Sequence, residues 1–163
     1  MSSPRPAVLF VCLGNICRSP LAEAAFRQAA QAAGLAAEAD SAGTGGWHAG
    51  DPPDPRAQAA AMRHGMDIAH YRARQVQRQD FSRFTHIYAL DHGNLRDLAR
   101  IAPPRSPARL SLLLDVLPHR AGDAVADPYY GDEAGFETTW AEVSEAAAAL
   151  VTLLARDIGK KGD

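Results

Sequence analysis

The chain has 163 residues, 47% of them hydrophobic and 22% charged, with a formal net charge of -2. That length suits a single domain over 1–163, with loose ends at 1–6 and 159–163, which can bury a core without disulfides or metals. The near-neutral charge offers no basic field for nucleic acid or an anionic membrane, and two cysteines five positions apart make neither a disulfide scaffold nor a zinc site.

Residues 1–6 are polar and Pro-bearing, without the apolar core of a signal peptide, so a cytoplasmic, reducing location is expected. Residues 7–12 form an unbroken apolar run, the pattern of a strand covered on both faces of a parallel sheet. After a turn bearing Gly14 and Asn15, Ser19 opens a helix as its N-cap, with Pro20 at the first helical position. Leu21, Ala24, Ala25, Ala29 and Ala32 make its inner face, and Gly34 ends it. A second strand is expected over 36–41, then a Gly/Pro-rich loop over 43–55 that finishes on the helix opener Asp54-Pro55.

A second helix spans 57–64, stopped by Gly65, and a basic connection runs over 70–78. A third strand over 85–90, a third helix over 94–101 and a fourth strand within 110–116 follow. A long loop then carries Asp127-Pro128-Tyr129-Tyr130-Gly131. The last helix, within 133–158, has Phe136, Trp140, Val143, Ala147, Leu150, Val151 and Leu154 at helical spacing. Strands alternating with helices predict an α/β three-layer sandwich, a four-stranded parallel sheet flanked by helices on both faces. In such folds ligands bind beyond the carboxyl ends of the strands.

Beyond the first strand lies Cys12-Leu13-Gly14-Asn15-Ile16-Cys17-Arg18-Ser19. Gly14 and Asn15 tolerate unusual backbone angles. The amides of such a loop can converge into an anion nest, reinforced by the positive end of the helix that follows. Arg18 adds a planar fork of donors matched to two phosphate oxygens. A cysteine at the rim of this nest shares the positive field, which favours a thiolate nucleophile that needs no histidine base. Cys12 as a plain core residue with Arg18 as a surface charge would explain a bare Cys/Arg pair. It does not explain a pair that brackets a strand-to-helix turn.

Val-Cys-Leu-Gly-Asn-Ile-Cys-Arg-Ser-Pro at 11–20 resembles the phosphate-binding loop of the low-molecular-weight protein tyrosine phosphatases. The likeness extends through Leu21-Ala22-Glu23, Asp40-Ser41-Ala42-Gly43-Thr44, Pro53-Asp54-Pro55-Arg56-Ala57, Arg72-Ala73-Arg74-Gln75, Asn94-Leu95 and the Asp127 segment, in order. The resemblance implies Cys12 as nucleophile, Arg18 and the loop residues Leu13, Gly14, Asn15, Ile16, Cys17 and Ser19 as the phosphate cradle, and Asp127 as general acid and then base. Such an acid speeds departure of a phenol by typically about 10²–10⁴-fold.

The resemblance also implies support for the loop from Ser41 and His70. Some family members share the His70 spacing and others are one residue shorter. Leu13, Trp47, Tyr129 and Tyr130 are expected as pocket walls, and Asp91 is placed to orient Arg18. Cys17 either packs beneath the nest or serves as a reversible disulfide partner of Cys12.

Redox enzymes of the arsenate reductase type share this fold and loop but need further cysteines downstream, and none follows Cys17. Arg18 and Asp127 also argue against a phosphocarrier, which hydrolysis would defeat. The expectation is a metal-independent, cofactor-free, monomeric phosphatase. Its substrate is a tyrosine-phosphorylated protein or a small aryl phosphate, with no nucleic acid or membrane partner.

Overall fold

β1, Ala7–Cys12, is buried along its whole length, because it pairs on both sides and is covered on both faces. In the computed structural model, which describes residues 5–161, it lies between β2 (Glu38–Gly43) and β3 (His86–Ala89), and β4 (Arg109–Leu112) completes a four-stranded parallel sheet in the order β2-β1-β3-β4. Every pairing is parallel, as the unbroken apolar run of β1 predicts. Of the ends expected to be loose, 1–4 and 162–163 lie outside the described residues. Pro6 is buried, and its carbonyl accepts from the Glu38 N–H at 2.8 Å.

The two faces of β1 belong to two cores. Val8, Phe10 and Cys12 point toward α1 (Arg18–Ala33), α2 (Pro55–Arg63) and α5 (Glu133–Lys161), while Ala7, Leu9 and Val11 point toward α3 (Asp80–Arg83) and α4 (His92–Ile101). Cys12 therefore ends β1 with its side chain on the α1 side. The expected seam of α5, from Phe136 to Leu154, is buried in full. No helix among the described residues is long and apolar enough to cross a membrane.

Local differences from expectation have local causes. α1 starts at Arg18 with Cys17 as its N-cap residue, and Ser19 lies inside the first turn with its hydroxyl turned to the loop instead of capping. Ala32 is exposed, and Phe26 and Ala30 are buried on the inner face instead. β2 is shifted to Glu38–Gly43. β4 stops at Leu112, and Leu113–Val116 turn into a 3-10 helix, which buries both Leu113 and Leu114 where strand alternation would expose one of them. Asp54 caps α2 as predicted, accepting from the Arg56 N–H at 2.8 Å.

Candidate active site

Residues 13–17 form an irregular turn between β1 and α1, and its carbonyls face outward. Those of Cys12 and Leu13 accept from the Thr44 and Gly45 N–H groups at 2.9 Å, and that of Ile16 accepts from the Asp54 N–H at 2.9 Å. Cys17 O accepts from Leu21 N–H as the first helical bond, at 3.4 Å. A trans peptide holds the next N–H opposite its C=O, and the described residues contain no cis bonds. The N–H groups of Leu13, Gly14, Cys17 and Arg18 therefore point away from these outer partners, the orientation that an anion nest requires.

Asn15 makes the turn possible. Its φ of 59° lies in the left-handed region, where Asn is better tolerated than most residues. Its side chain is fully committed: Nδ2 donates to Ser19 Oγ at 2.8 Å and to Ser41 Oγ at 3.0 Å, and Oδ1 accepts from the Arg74 N–H at 3.0 Å. Because both serine oxygens accept from Asn15, their protons go elsewhere. Ser41 donates to Glu23 Oε1 at 2.9 Å, and Ser19 lies 3.0 Å from the Cys12 sulfur. The single Ser19 proton therefore faces two acceptors, Cys12 Sγ at 3.0 Å and the Ala42 carbonyl at 3.4 Å.

Arg18 is almost fully buried, yet its charge is well matched. Nη1 donates to Asp91 Oδ2 at 2.8 Å and to the Val125 carbonyl at 3.0 Å, and Nη2 lies 3.7 Å from Asp127 Oδ2. Burial opposes the charge, but Cys12, Asp91 and Asp127 more than offset it, so the guanidinium holds its proton more firmly than usual. Asp91 uses its other oxygen to cap α4, accepting from the Asn94 N–H at 2.7 Å, which fixes the carboxylate against Arg18. Its expected orienting position is thereby occupied.

The two free thiols differ in surroundings. Burial, followed by Asp54 and Cys12, pushes the Cys17 thiol far above its ordinary value, so it remains neutral and packs in the α1-side core. Asp127 sits on the opposite wall, 42% exposed, with Oδ1 accepting from the Tyr129 N–H at 3.1 Å. Cys12, Leu13, Gly14, Ile16, Cys17, Arg18, Trp47, His48, Asp127, Tyr129 and Tyr130 line a cavity of about 230 Å³, with Cys12 and Arg18 buried and Leu13 exposed. Trp47 and Tyr130 are 73% and 94% exposed, so the walls stand up around the opening.

One expected supporting residue is not brought to the loop. His70 is exposed, with its ring edge-on to Tyr71 at 4.9 Å. With the spacing one residue shorter the position falls on Tyr71, which is half-buried against the α1-side core beside Glu23 and Arg27. Ser41 accepts from Asn15 in the loop and donates to Glu23, and the Arg74 backbone completes Asn15. His48 was also not anticipated. Its ring lies over Gly14, where an added Cβ would meet Cδ2 at 3.1 Å, and Nδ1 is 3.3 Å from Asp51 Oδ2. Neither residue stands within a motif with a mechanistic reading of its own.

A family model described as low molecular weight phosphotyrosine protein phosphatase matches residues 7–161. A low molecular weight protein-tyrosine-phosphatase of Streptomyces coelicolor is 47% identical over 156 residues, covering 93% of this chain and 94% of the relative. The crystal structure of YfkJ from Bacillus subtilis superposes with a TM-score of 0.88 at 38% identity, covering 95% of this chain and 98% of that one. A Drosophila arginine phosphatase superposes with a TM-score of 0.84 at 31% identity, over 89% of this chain and 95% of its own.

Proposed function

The chain belongs to the low molecular weight phosphotyrosine protein phosphatase family, and from that premise we propose that it hydrolyses phosphotyrosine and aryl phosphate monoesters through a cysteinyl-phosphate intermediate. The Cys12 thiolate attacks phosphorus, forming the S–P bond as the P–O bond to the phenol breaks. Inward-facing amides and the Arg18 fork hold the equatorial oxygens, which carry the charge that develops in the transition state. Asp127 gives its proton to the departing oxygen. It then takes a proton from the water that attacks phosphorus, which yields inorganic phosphate and restores the Cys12 thiolate. The Ser19 hydroxyl, donating to the sulfur, stabilises that thiolate as it leaves.

The observation that carries this reading is the hydrogen-bonded chain Asn15–Ser19–Cys12, opposite Arg18 and Asp127 in one pocket. The aromatic rim of Trp47, Tyr129 and Tyr130 supports a phenyl ester over an aliphatic one. Every group invoked comes from one chain, which supports a monomer as the working unit. The test is hydrolysis of phosphotyrosine, an aryl phosphate and phosphoarginine in excess chelator. Turnover of the first two, abolished by Cys12→Ser, is expected. Wild-type turnover by Cys12→Ser would refute the mechanism, and a preference for phosphoarginine would move the substrate class.

A further inference from the structure

Asp54 and Arg56, at the start of α2, line no part of the pocket yet touch both loops that form it. The Asp54 N–H donates to the Ile16 carbonyl of the phosphate loop at 2.9 Å. Arg56 Nε and Nη2 donate to the two Asp54 carboxylate oxygens at 3.1 and 3.0 Å. The same guanidinium reaches the acid loop, where Nη2 donates to the Tyr129 carbonyl at 2.9 Å and Nη1 to the Gly131 carbonyl at 3.0 Å. Its carbon stands 4.6 Å from the centre of the Phe136 ring of α5 and 5.7 Å from that of Tyr129.

Asp127 thus lies between two arginine-held stretches of backbone. On its N-terminal side Arg18 holds the Val125 carbonyl, and on its C-terminal side Arg56 holds those of Tyr129 and Gly131. Asp127 itself is half-exposed, and its carboxylate is tied to the same loop by the Tyr129 N–H, so its place follows that of the loop backbone. We infer that Arg56, seated by Asp54, is a positioning residue that sets the reach of Asp127 to the leaving oxygen from the same helix end that holds the phosphate loop. This rests on the proposed acid role of Asp127. A planar fork is required, because two carbonyls two residues apart need two donors in fixed relation, which a lysine ammonium does not supply. A displacement of about 1 Å at such a group can cost about 10²-fold in rate.

Arg56→Gln and Arg56→Lys are to be compared with Asp127→Ala, on phosphotyrosine and on 4-nitrophenyl phosphate, whose leaving group is acidic enough to depart unprotonated. With thermal melts confirming a folded protein, Arg56→Gln is expected to lower kcat/KM, which reports the S–P bond-forming step and not the hydrolysis common to both substrates, about tenfold on phosphotyrosine and less than about twofold on the nitrophenyl ester. Arg56→Lys, which keeps charge and stem, should show the same selectivity and is the variant to use if the Gln form is unstable. Adding Arg56→Gln to Asp127→Ala should cost nothing more. An equal loss on both substrates, or no loss, would overturn the positioning role while leaving a selective Asp127→Ala effect intact. An equal loss on both substrates for Asp127→Ala itself would overturn the acid assignment, and this inference with it.

Discussion

Asn15 is the residue through which the nucleophile loop is built, since one side chain closes three hydrogen bonds, two of them buried, and takes the single left-handed φ of the turn. Asn15→Ala takes a donor from Ser19 and from Ser41 and leaves the Arg74 N–H without its side-chain acceptor, at about 0.5–1.5 kcal/mol for each hydrogen bond and up to about 3 kcal/mol for a group left unpaired. Denaturant melts should show a loss of about 3 kcal/mol or more, with turnover falling at least about tenfold. Asn15→Gly relieves only the backbone term, about 1–2 kcal/mol, and should remain as poor a catalyst as the Ala form. Full activity in the Gly form would mean that φ alone matters.

Glu23 is a second buried dependency. Burial raises its pKa above the ordinary value of 4.5, more than Arg27 and Ser41 lower it. Arg27, far more exposed, holds its own proton more firmly beside Glu23. Since the folded carboxyl keeps its proton to higher pH than the unfolded one, the fold binds more protons in the window just above 4.5. Stability must therefore fall as pH rises through that window. Glu23→Gln should flatten this part of the stability curve in chemical denaturation, and an unchanged slope would contradict the assignment. Cys12, Arg18 and Asp127 were legible because their residue types match a chemistry at a known spacing. Glu23, Tyr71 and His48 were not, because their roles depend on which side chain a neighbouring element presents.

At the scale of elements, the loop is shaped as much by β2 as by its own residues. Gly43, partner of Cys12 across the sheet, lies so close that an added Cβ would meet Leu13 O at 2.7 Å and Gly14 C at 3.1 Å. These are backbone atoms that cannot swing aside. Gly43→Ala should destabilise by about 1–3 kcal/mol and depress turnover, because relief must come from moving the phosphate loop. Gly34→Ala, at the left-handed end of α1 with open space around it, should cost about 1–2 kcal/mol and leave turnover near wild type. Steady-state rates beside melts on both variants separate the two effects, and equal rates would show that Gly43 does not shape the loop. Strand and helix order was readable from β1 and the α5 seam, where burial is continuous or strictly periodic. The start of α1 was misplaced because Ser19 resembles a cap in sequence, while its hydroxyl is engaged by Asn15, the Cys12 sulfur and the Ala42 carbonyl. α3 was not seen because four residues carry no period.

For the whole molecule, the account predicts a pocket that recognises a pentavalent phosphoryl centre. Orthovanadate should compete with substrate and, at about one hundred times its Kd, stabilise the fold by about 2.7 kcal/mol. For a domain of this size that is a rise in Tm of about 5–10 °C, and Arg18→Ala should abolish it; an undiminished rise in that variant would mean that vanadate binds elsewhere. The most direct measurement of the central claim is the covalent intermediate itself. Asp127→Ala, lacking the base for the second step, is mixed with isotopically labelled 4-nitrophenyl phosphate, whose leaving group needs no acid in the first step, quenched within one turnover and mapped by mass spectrometry. Label on the Cys12 sulfur, absent in Cys12→Ser, is the predicted result. Turnover with no label on the protein, or label carried by any other residue, would contradict it.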